Sequence, residues 1–284
     1  MQQHKVVVHW PTYERSLMPE LTGQGIWIWQ LPQCRGGDVA AIVAQCKQRH
    51  FSHVLIKCAD GAHSFACNAR ADEALVRELR ANGITVAGWG YHYGRDPEAE
   101  ARNAVQCCQR LGHTIYVCNA EKEFEDDNSA KGDDASTRAR RFIKAFREHG
   151  AGIALGLCTF ALPALHARFP WRAFLQDGNG CEFVMPQIYT VPSHARPYLA
   201  HLLSYAMRAE EELRAFGRPI IPVLRAYAGD GMNNWRQITE DARDFIHSEW
   251  TQKQKAYNWW MWQSAESNKE FWELVRNGIY VRPI

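Results

Sequence analysis

A single (β/α)8 (TIM) barrel, a closed ring of eight β-α units, is the fold class this sequence predicts. Three observations carry the prediction: eight short apolar runs at nearly even spacing, a helix-period segment after most of them, and no Gly/Ser-rich linker or low-complexity tract dividing the chain. The runs are Gly25-Ile-Trp-Ile-Trp, His53-Val-Leu-Ile-Lys, Ile84-Thr-Val-Ala-Gly, Thr114-Ile-Tyr-Val-Cys, Gly152-Ile-Ala-Leu-Gly-Leu, Phe183-Val-Met-Pro-Gln-Ile-Tyr, Pro219-Ile-Ile-Pro-Val-Leu and Tyr257-Asn-Trp-Trp-Met-Trp. Their starts lie 28, 31, 30, 38, 31, 36 and 38 residues apart, the period of a β-α unit.

Runs apolar on both faces are strands buried beneath helices, so the sheet is parallel and each strand is followed by a helix. Helical spacing occupies Val39 to Arg49, Ala71 to Ala81, Glu98 to Leu111, Thr137 to Glu148, Ala195 to Phe216, Thr239 to Trp250 and Lys269 to Arg276. Asp38 and Thr239 stand near helix starts, and Gly83, Gly112, Gly150 and Gly217 just past helix ends. Eight units favour closure over an open doubly wound sheet. Residues 1–24 are expected to form a short N-terminal extension packed on the barrel, with Val6-Val-Val-His-Trp as an extra strand or cap, and residues 25–284 the barrel itself.

Composition narrows the function. Of 284 residues, 46% are hydrophobic and 23% charged, enough to bury a full core. With 33 Lys+Arg against 31 Asp+Glu the net charge is +2, which argues against nucleic acid as a partner. No apolar run approaches the roughly 20 residues of a membrane span, and the N-terminus lacks the apolar stretch of a signal peptide. The expectation is a chain made in the cytoplasm, with delivery to a cell wall by lysis, phage or a secretion system. Nine cysteines without a CxxC pair read as reduced thiols rather than a zinc site, and Cys107-Cys108, mid-helix with no adjacent base in sequence, reads as inert. There is no GxGxxG, P-loop or HExxH, so neither cofactor nor metal is expected.

Barrel enzymes assemble their sites at the C-terminal ends of the strands. At the fourth such end, Ile115, Val117, Asn119 and Glu121 share one face by strand alternation. If Ile115 and Val117 fill the barrel, Asn119 and Glu121 line its mouth. A carboxyl walled by apolar and aromatic groups stays protonated and can act as general acid, as glycosidic cleavage requires; the bland alternative is a strand-end Glu paired with Lys or Arg. Asn119 suits substrate-assisted hydrolysis, in which an acetamido oxygen of the sugar attacks the anomeric carbon and an enzyme amide orients it. Asp60, ending the second strand, is the candidate second carboxylate, or a turn residue before Gly61. Lys57, Tyr91, Tyr93, Gln187, Tyr189 and Arg225 are candidate substrate contacts; Arg225 serves equally as a structural partner of Glu121 or Asp60. Of eleven tryptophans, Trp29 and Trp262 stand nearest the mouth and are the candidate sugar platforms. The seven acids between Glu121 and Asp134 miss the EF-hand spacing and are expected to form a solvated loop.

These windows resemble a family. Gly25-Ile-Trp-Ile-Trp, Val54-Leu-Ile-Lys-Cys-Ala-Asp-Gly, Ala87-Gly-Trp-Gly-Tyr-His-Tyr, Asn119-Ala-Glu121, Pro186-Gln-Ile-Tyr and Trp260-Met-Trp-Gln-Ser, in that order, look like the lysozyme-type glycoside hydrolases of family 25. That family ends its fourth strand Asp-x-Glu with Glu as the acid, so the resemblance implies Glu121 as general acid/base, with Asn119 in place of the Asp and no clear counterpart of the first-strand Asp. The Asn-x-Glu pair is similar to that of substrate-assisted endo-β-N-acetylglucosaminidases. Both resemblances imply a hydrolase of N-acetylhexosamine-containing glycan, with peptidoglycan the first candidate. The alternatives are a catalytically silent barrel serving as a glycan-binding or structural module of a larger assembly, and a barrel aldolase using Lys57 as a Schiff base.

Overall fold

The computed structural model describes residues 21–65, 69–126, 132–177 and 179–278, with the backbone alone at 69–71. Eight parallel strands run through the described residues: β1 (Gly23–Ile28), β2 (Phe51–Asp60), β3 (Thr85–His92), β4 (Ile115–Ala120), β5 (Ala154–Phe160), β6 (Phe183–Ile188), β7 (Val223–Arg225) and β8 (Ala256–Trp260). Each bonds the next, and β1 bonds both β2 and β8, so the sheet closes on itself. All eight expected runs are strands of this barrel. The extra strand or cap expected at Val6 to Trp10 lies outside the described residues.

Helices follow the strands: α1 (Val39–Gln48), α2 (Ala69–Ala81), α3 (Pro97–Leu111), α4 (Ala135–His149), α5 (Trp171–Leu175), α6 (Leu202–Leu213), α7 (Trp235–His247) and α8 (Lys269–Leu274). Their starts are set by capping carboxylates and amides. The side chains of Asp38, Asp96, Asp134, Asn234 and Asn268 each accept a backbone N–H of the first turn. Gly112, at φ 64°, ends α3 in the left-handed conformation that costs other residues strain.

Three boundaries differ from the sequence expectation. The segment from Ala195 begins as a 3-10 turn at Pro197–Ala200, and the α-helix starts only at Leu202. The segment expected from Thr239 starts earlier, at Trp235, because Asn234 caps it, and ends at His247, where Ser248 turns extended and caps a separate turn at Glu249–Gln252. α5, five residues long, is too short to show a helical period.

The strand pleat divides the core into two layers. Trp27, Leu55, Trp89, Ile115, Val117, Met185 and Val223 fill the barrel. Alternate residues such as Ile26, Ile28, Val54 and Leu224 pack outward against the helices. Complete burial of one such side chain contributes roughly 1.5–3 kcal/mol. The N-terminal end of the barrel is closed by a polar pair. His53 is bonded at Nε2 to Asn258 Oδ1 (2.9 Å) and at Nδ1 to Thr22 O (2.9 Å), and burial holds its pKa down to about 4. Position 25 has to be glycine, since a Cβ there would lie 2.0 Å from His53 Nε2.

At the other end of β2 the pairing with β3 slips by one residue: Lys57 pairs with Trp89 but Ala59 with Gly90. Strict alternation would turn Lys57 and Asp60 to opposite faces. The bulge at Cys58 re-aims the strand end, and Asp60 comes level with Tyr91.

Candidate active site

The C-terminal mouth of the barrel is built around Glu121, the residue between β4 and a helical turn at Lys122–Glu125. Its Oε1 accepts a hydrogen bond from Gln187 Nε2 on β6 (2.7 Å). The same amide nitrogen donates to Asn119 Oδ1 (3.1 Å). Asn119, Glu121 and Gln187 are thereby joined through one nitrogen, across two strands that are not neighbours. Burial raises the Glu121 pKa above the ordinary carboxylate value; the Gln187 and Asn119 amides oppose the rise, and the charge of Glu123 adds to it. The net direction is upward, which favours the protonated acid.

A second carboxylate stands two residues on. Glu123 Oε2 accepts the hydroxyl of Tyr91 (2.7 Å), and burial together with the Glu121 and Glu123 charges keeps that phenol protonated. The Tyr91 ring lies 5.0 Å from that of Tyr93, whose hydroxyl donates to Asp60 Oδ1 (3.2 Å). Lys57 Nζ sits 3.4 Å from the same oxygen and 5.3 Å from the Trp89 ring. Asp60, Lys57, Tyr91 and Tyr93 thus form one contiguous wall of the mouth, and Trp29, 38% exposed, stands at its rim 5.9 Å from Lys57 Nζ.

On the opposite wall, Tyr189 meets Tyr227 edge-on at 5.5 Å. Arg225, expected either to pair with Glu121 or Asp60 or to touch substrate, lies under the Tyr227 ring at 4.2 Å and donates from Nη1 to Gly229 O (2.9 Å) and Tyr227 O (3.3 Å). Its hydrogen bonds go to loop carbonyls and hold the loop after β7, rather than to a carboxylate. Beneath the mouth three indoles pack together. Trp260 lies 5.5 Å from Trp27 and 5.2 Å from Trp89, both near edge-on.

Trp262 is placed elsewhere. The chain turns into a short helix at Trp262–Ser267, so this ring points into the outer layer, fully buried against Phe51 and Trp272 with Nε1 bonded to Glu266 Oε2 (2.9 Å). Trp260, the last residue of β8, is the tryptophan that the pleat turns inward.

Sequence reasoning missed Glu123, Glu125 and His166. The first two fall in the stretch expected to be a solvated loop; instead Lys122–Glu125 is a helical turn anchored by the buried Phe124. His166, in the loop after β5, carries no motif. Among the described residues no group of three His, Cys, Asp or Glu is placed to hold a metal ion, and no helix is long and apolar enough to cross a membrane. The eight described cysteines are buried, and no disulfide joins any two of them.

No family model matches the chain, and no curated protein matches it. Solved structures do. The chain is similar to a chitinase from Rhizomucor miehei (TM-score 0.60, 10% identity, 90% of this chain and 99% of that one). It is similar to an endo-β-1,4-mannanase from Thermotoga petrophila (TM-score 0.63, 9% identity, 91% and 76%). It is also similar to the spore cortex-lytic enzyme SleL from Bacillus megaterium (TM-score 0.54, 10% identity, 90% and 73%). At such identities the likeness is one of fold.

Proposed function

We propose that this chain is a glycoside hydrolase that cleaves β-linked glycans containing N-acetylhexosamine, peptidoglycan first among them, with Glu121 as general acid/base. The observation that carries the reading is the Glu121 carboxyl itself: raised in pKa by burial, at the barrel mouth, and bonded to the amide of Gln187 rather than to a guanidinium or ammonium group. A proton held there is available to the glycosidic oxygen. The carboxylates that would serve as nucleophile are engaged, Asp60 by Lys57 and Tyr93 and Glu123 by Tyr91. The reading that uses the groups present is therefore substrate assistance. The acetamido oxygen of the bound sugar attacks the anomeric carbon, Glu121 gives its proton to the leaving oxygen, and the resulting carboxylate then activates water. Asn119 and Tyr189 supply an amide and a phenol hydroxyl to orient and polarise the acetamido group. The floor of Trp27, Trp89 and Trp260 excludes water from that reaction. That solved structures of this fold include chitinases and a spore cortex-lytic enzyme supports the substrate class.

The test is incubation of the purified chain with peptidoglycan and, separately, with chito-oligosaccharides, followed by mass analysis of new reducing ends. Release is expected from wild type and absent from a folded Glu121→Gln variant. Turnover in that variant at the wild-type rate refutes the assignment, and no release from either glycan by wild type leaves a catalytically silent barrel.

A further inference from the structure

One group beside Glu121 has no part in the mechanism above. Strand register places it. Asn119 on β4 is level with Cys158 on β5, and Gln187 on β6 with Phe160. Glu121 follows the end of β4, two residues after Asn119, and Phe160 ends β5, two residues after Cys158, so both stand at the C-terminal edge of adjacent strands. His166 lies flat on Phe160, with centroids 3.5 Å apart and planes 4° from parallel.

The residue is fixed at ring and backbone. The ring Nδ1 is 3.0 Å from Glu125 Oε2, the backbone carbonyl of His166 accepts the indole N–H of Trp171 (2.9 Å), and its backbone N–H donates to Pro163 O (3.1 Å). Phe160 covers one ring face, and the His166 side chain remains 30% exposed. The carboxylate at Nδ1 holds the hydrogen there, which leaves Nε2 as the second polar atom of the ring. The result is a two-ring slab at the rim, with an aromatic face and a polar edge, held through Glu125 to the helical turn that Glu121 begins.

We propose that this Phe160–His166 slab is the platform for the sugar on the leaving side of the scissile bond, stacking the ring on imidazole and bonding a hydroxyl at Nε2. The proposal rests on the hydrolase reading. A general acid protonates the oxygen between two sugars, so its carboxyl marks their junction. The sugar that reacts takes the deep side, over the three indoles and against Asn119 and Tyr189; its neighbour then lies on the rim. An apolar ring with a polar tip matches a pyranose, which shows C–H groups on its faces and hydroxyls at its edge.

Two substrates separate the roles. A chitopentaose places a sugar on the slab, whereas chitobiosyl fluoride has fluoride as its leaving group and places none there. His166→Ala is expected to raise KM for the pentaose about tenfold, the equivalent of ~1.4 kcal/mol, and to leave kcat/KM for the fluoride within about twofold of wild type. His166→Phe, which keeps a flat ring, is expected to hold the pentaose KM within about threefold of wild type. An unchanged pentaose KM in His166→Ala, or equal losses on both substrates, overturns the platform. If wild type cleaves neither substrate, release from peptidoglycan decides the hydrolase reading, and calorimetric binding of the pentaose to Glu121→Gln with and without His166→Ala decides the platform. About tenfold weaker binding without the imidazole sustains it; equal binding overturns it.

Discussion

Glu100, in the first turn of α3, is a residue whose loss can be worked out from its contacts. Its carboxyl is 2% exposed and accepts four consecutive backbone N–H groups of the loop after β3. Oε2 takes Tyr93 N (2.9 Å) and Gly94 N (3.1 Å); Oε1 takes Arg95 N (2.9 Å) and Asp96 N (3.3 Å). His92 Nδ1 lies 3.3 Å from Oε2, an electrostatic contact rather than a directed hydrogen bond. In Glu100→Gln an NH2 replaces one oxygen. The less buried pair, Arg95 and Asp96, is the pair that loses its acceptor, at about 1 kcal/mol per N–H where water reaches it. The bonds to Tyr93 and Gly94 survive but lose their charge assistance, at about 1 kcal/mol each. The expected loss is about 4 kcal/mol, read from urea unfolding at pH 7. Glu98→Gln, on the same turn but half-buried in a pair with Arg141, is the control and should cost under about 1 kcal/mol. Burial by itself would raise the Glu100 pKa, but His92 and the Gly94 and Asp96 N–H groups outweigh it and hold it below 4.5. A depressed carboxylate stabilises fully above its unfolded-state value, and that contribution is lost as pH falls through the folded-state value. The gap between wild type and Glu100→Gln should therefore narrow below about pH 4.5. A loss at pH 7 no larger than that of Glu98→Gln would refute this accounting.

Two further outcomes follow from the pKa directions. Gln187→Leu removes a donor that favours ionised Glu121, so the alkaline limb of the pH–rate profile should move to higher pH; a limb that stays put contradicts Glu121 as the acid. His53, ordinarily near 6.5 and held to about 4, is buried neutral while the unfolded chain takes up a proton. Wild-type stability should thus fall by about 3 kcal/mol as pH drops from 6.5 towards 4, and His53→Gln should flatten that slope in pH-dependent thermal melts. Parallel slopes would exclude His53 as its source.

The barrel was legible because its signal is repetitive: eight runs apolar on both faces recur at one period, and a slip of a few residues at any boundary leaves the count intact. Glu121 and Asn119 were legible for the same reason, since alternation from Ile115 and Val117 carries their side chains inward. What could not be seen was whatever depends on local departures from the pleat. The bulge at Cys58 turns Asp60 towards Tyr91, and no residue type announces a bulge. Trp260 and Trp262 have equal claims by alternation, and only the onset of the helix at Trp262 decides which ring faces the barrel axis. His166 comes to Phe160 and Glu125 through a non-repeating loop, where spacing carries no information.

The stack of Trp27, Trp89 and Trp260 has a consequence for traffic. Three indoles in mutual contact plug the barrel axis beneath the mouth. Whatever is bound on that floor departs by the opening through which it arrived, past the same rim aromatics. For the glycan proposed above, clearing that floor and refilling it would then be successive events at a single doorway.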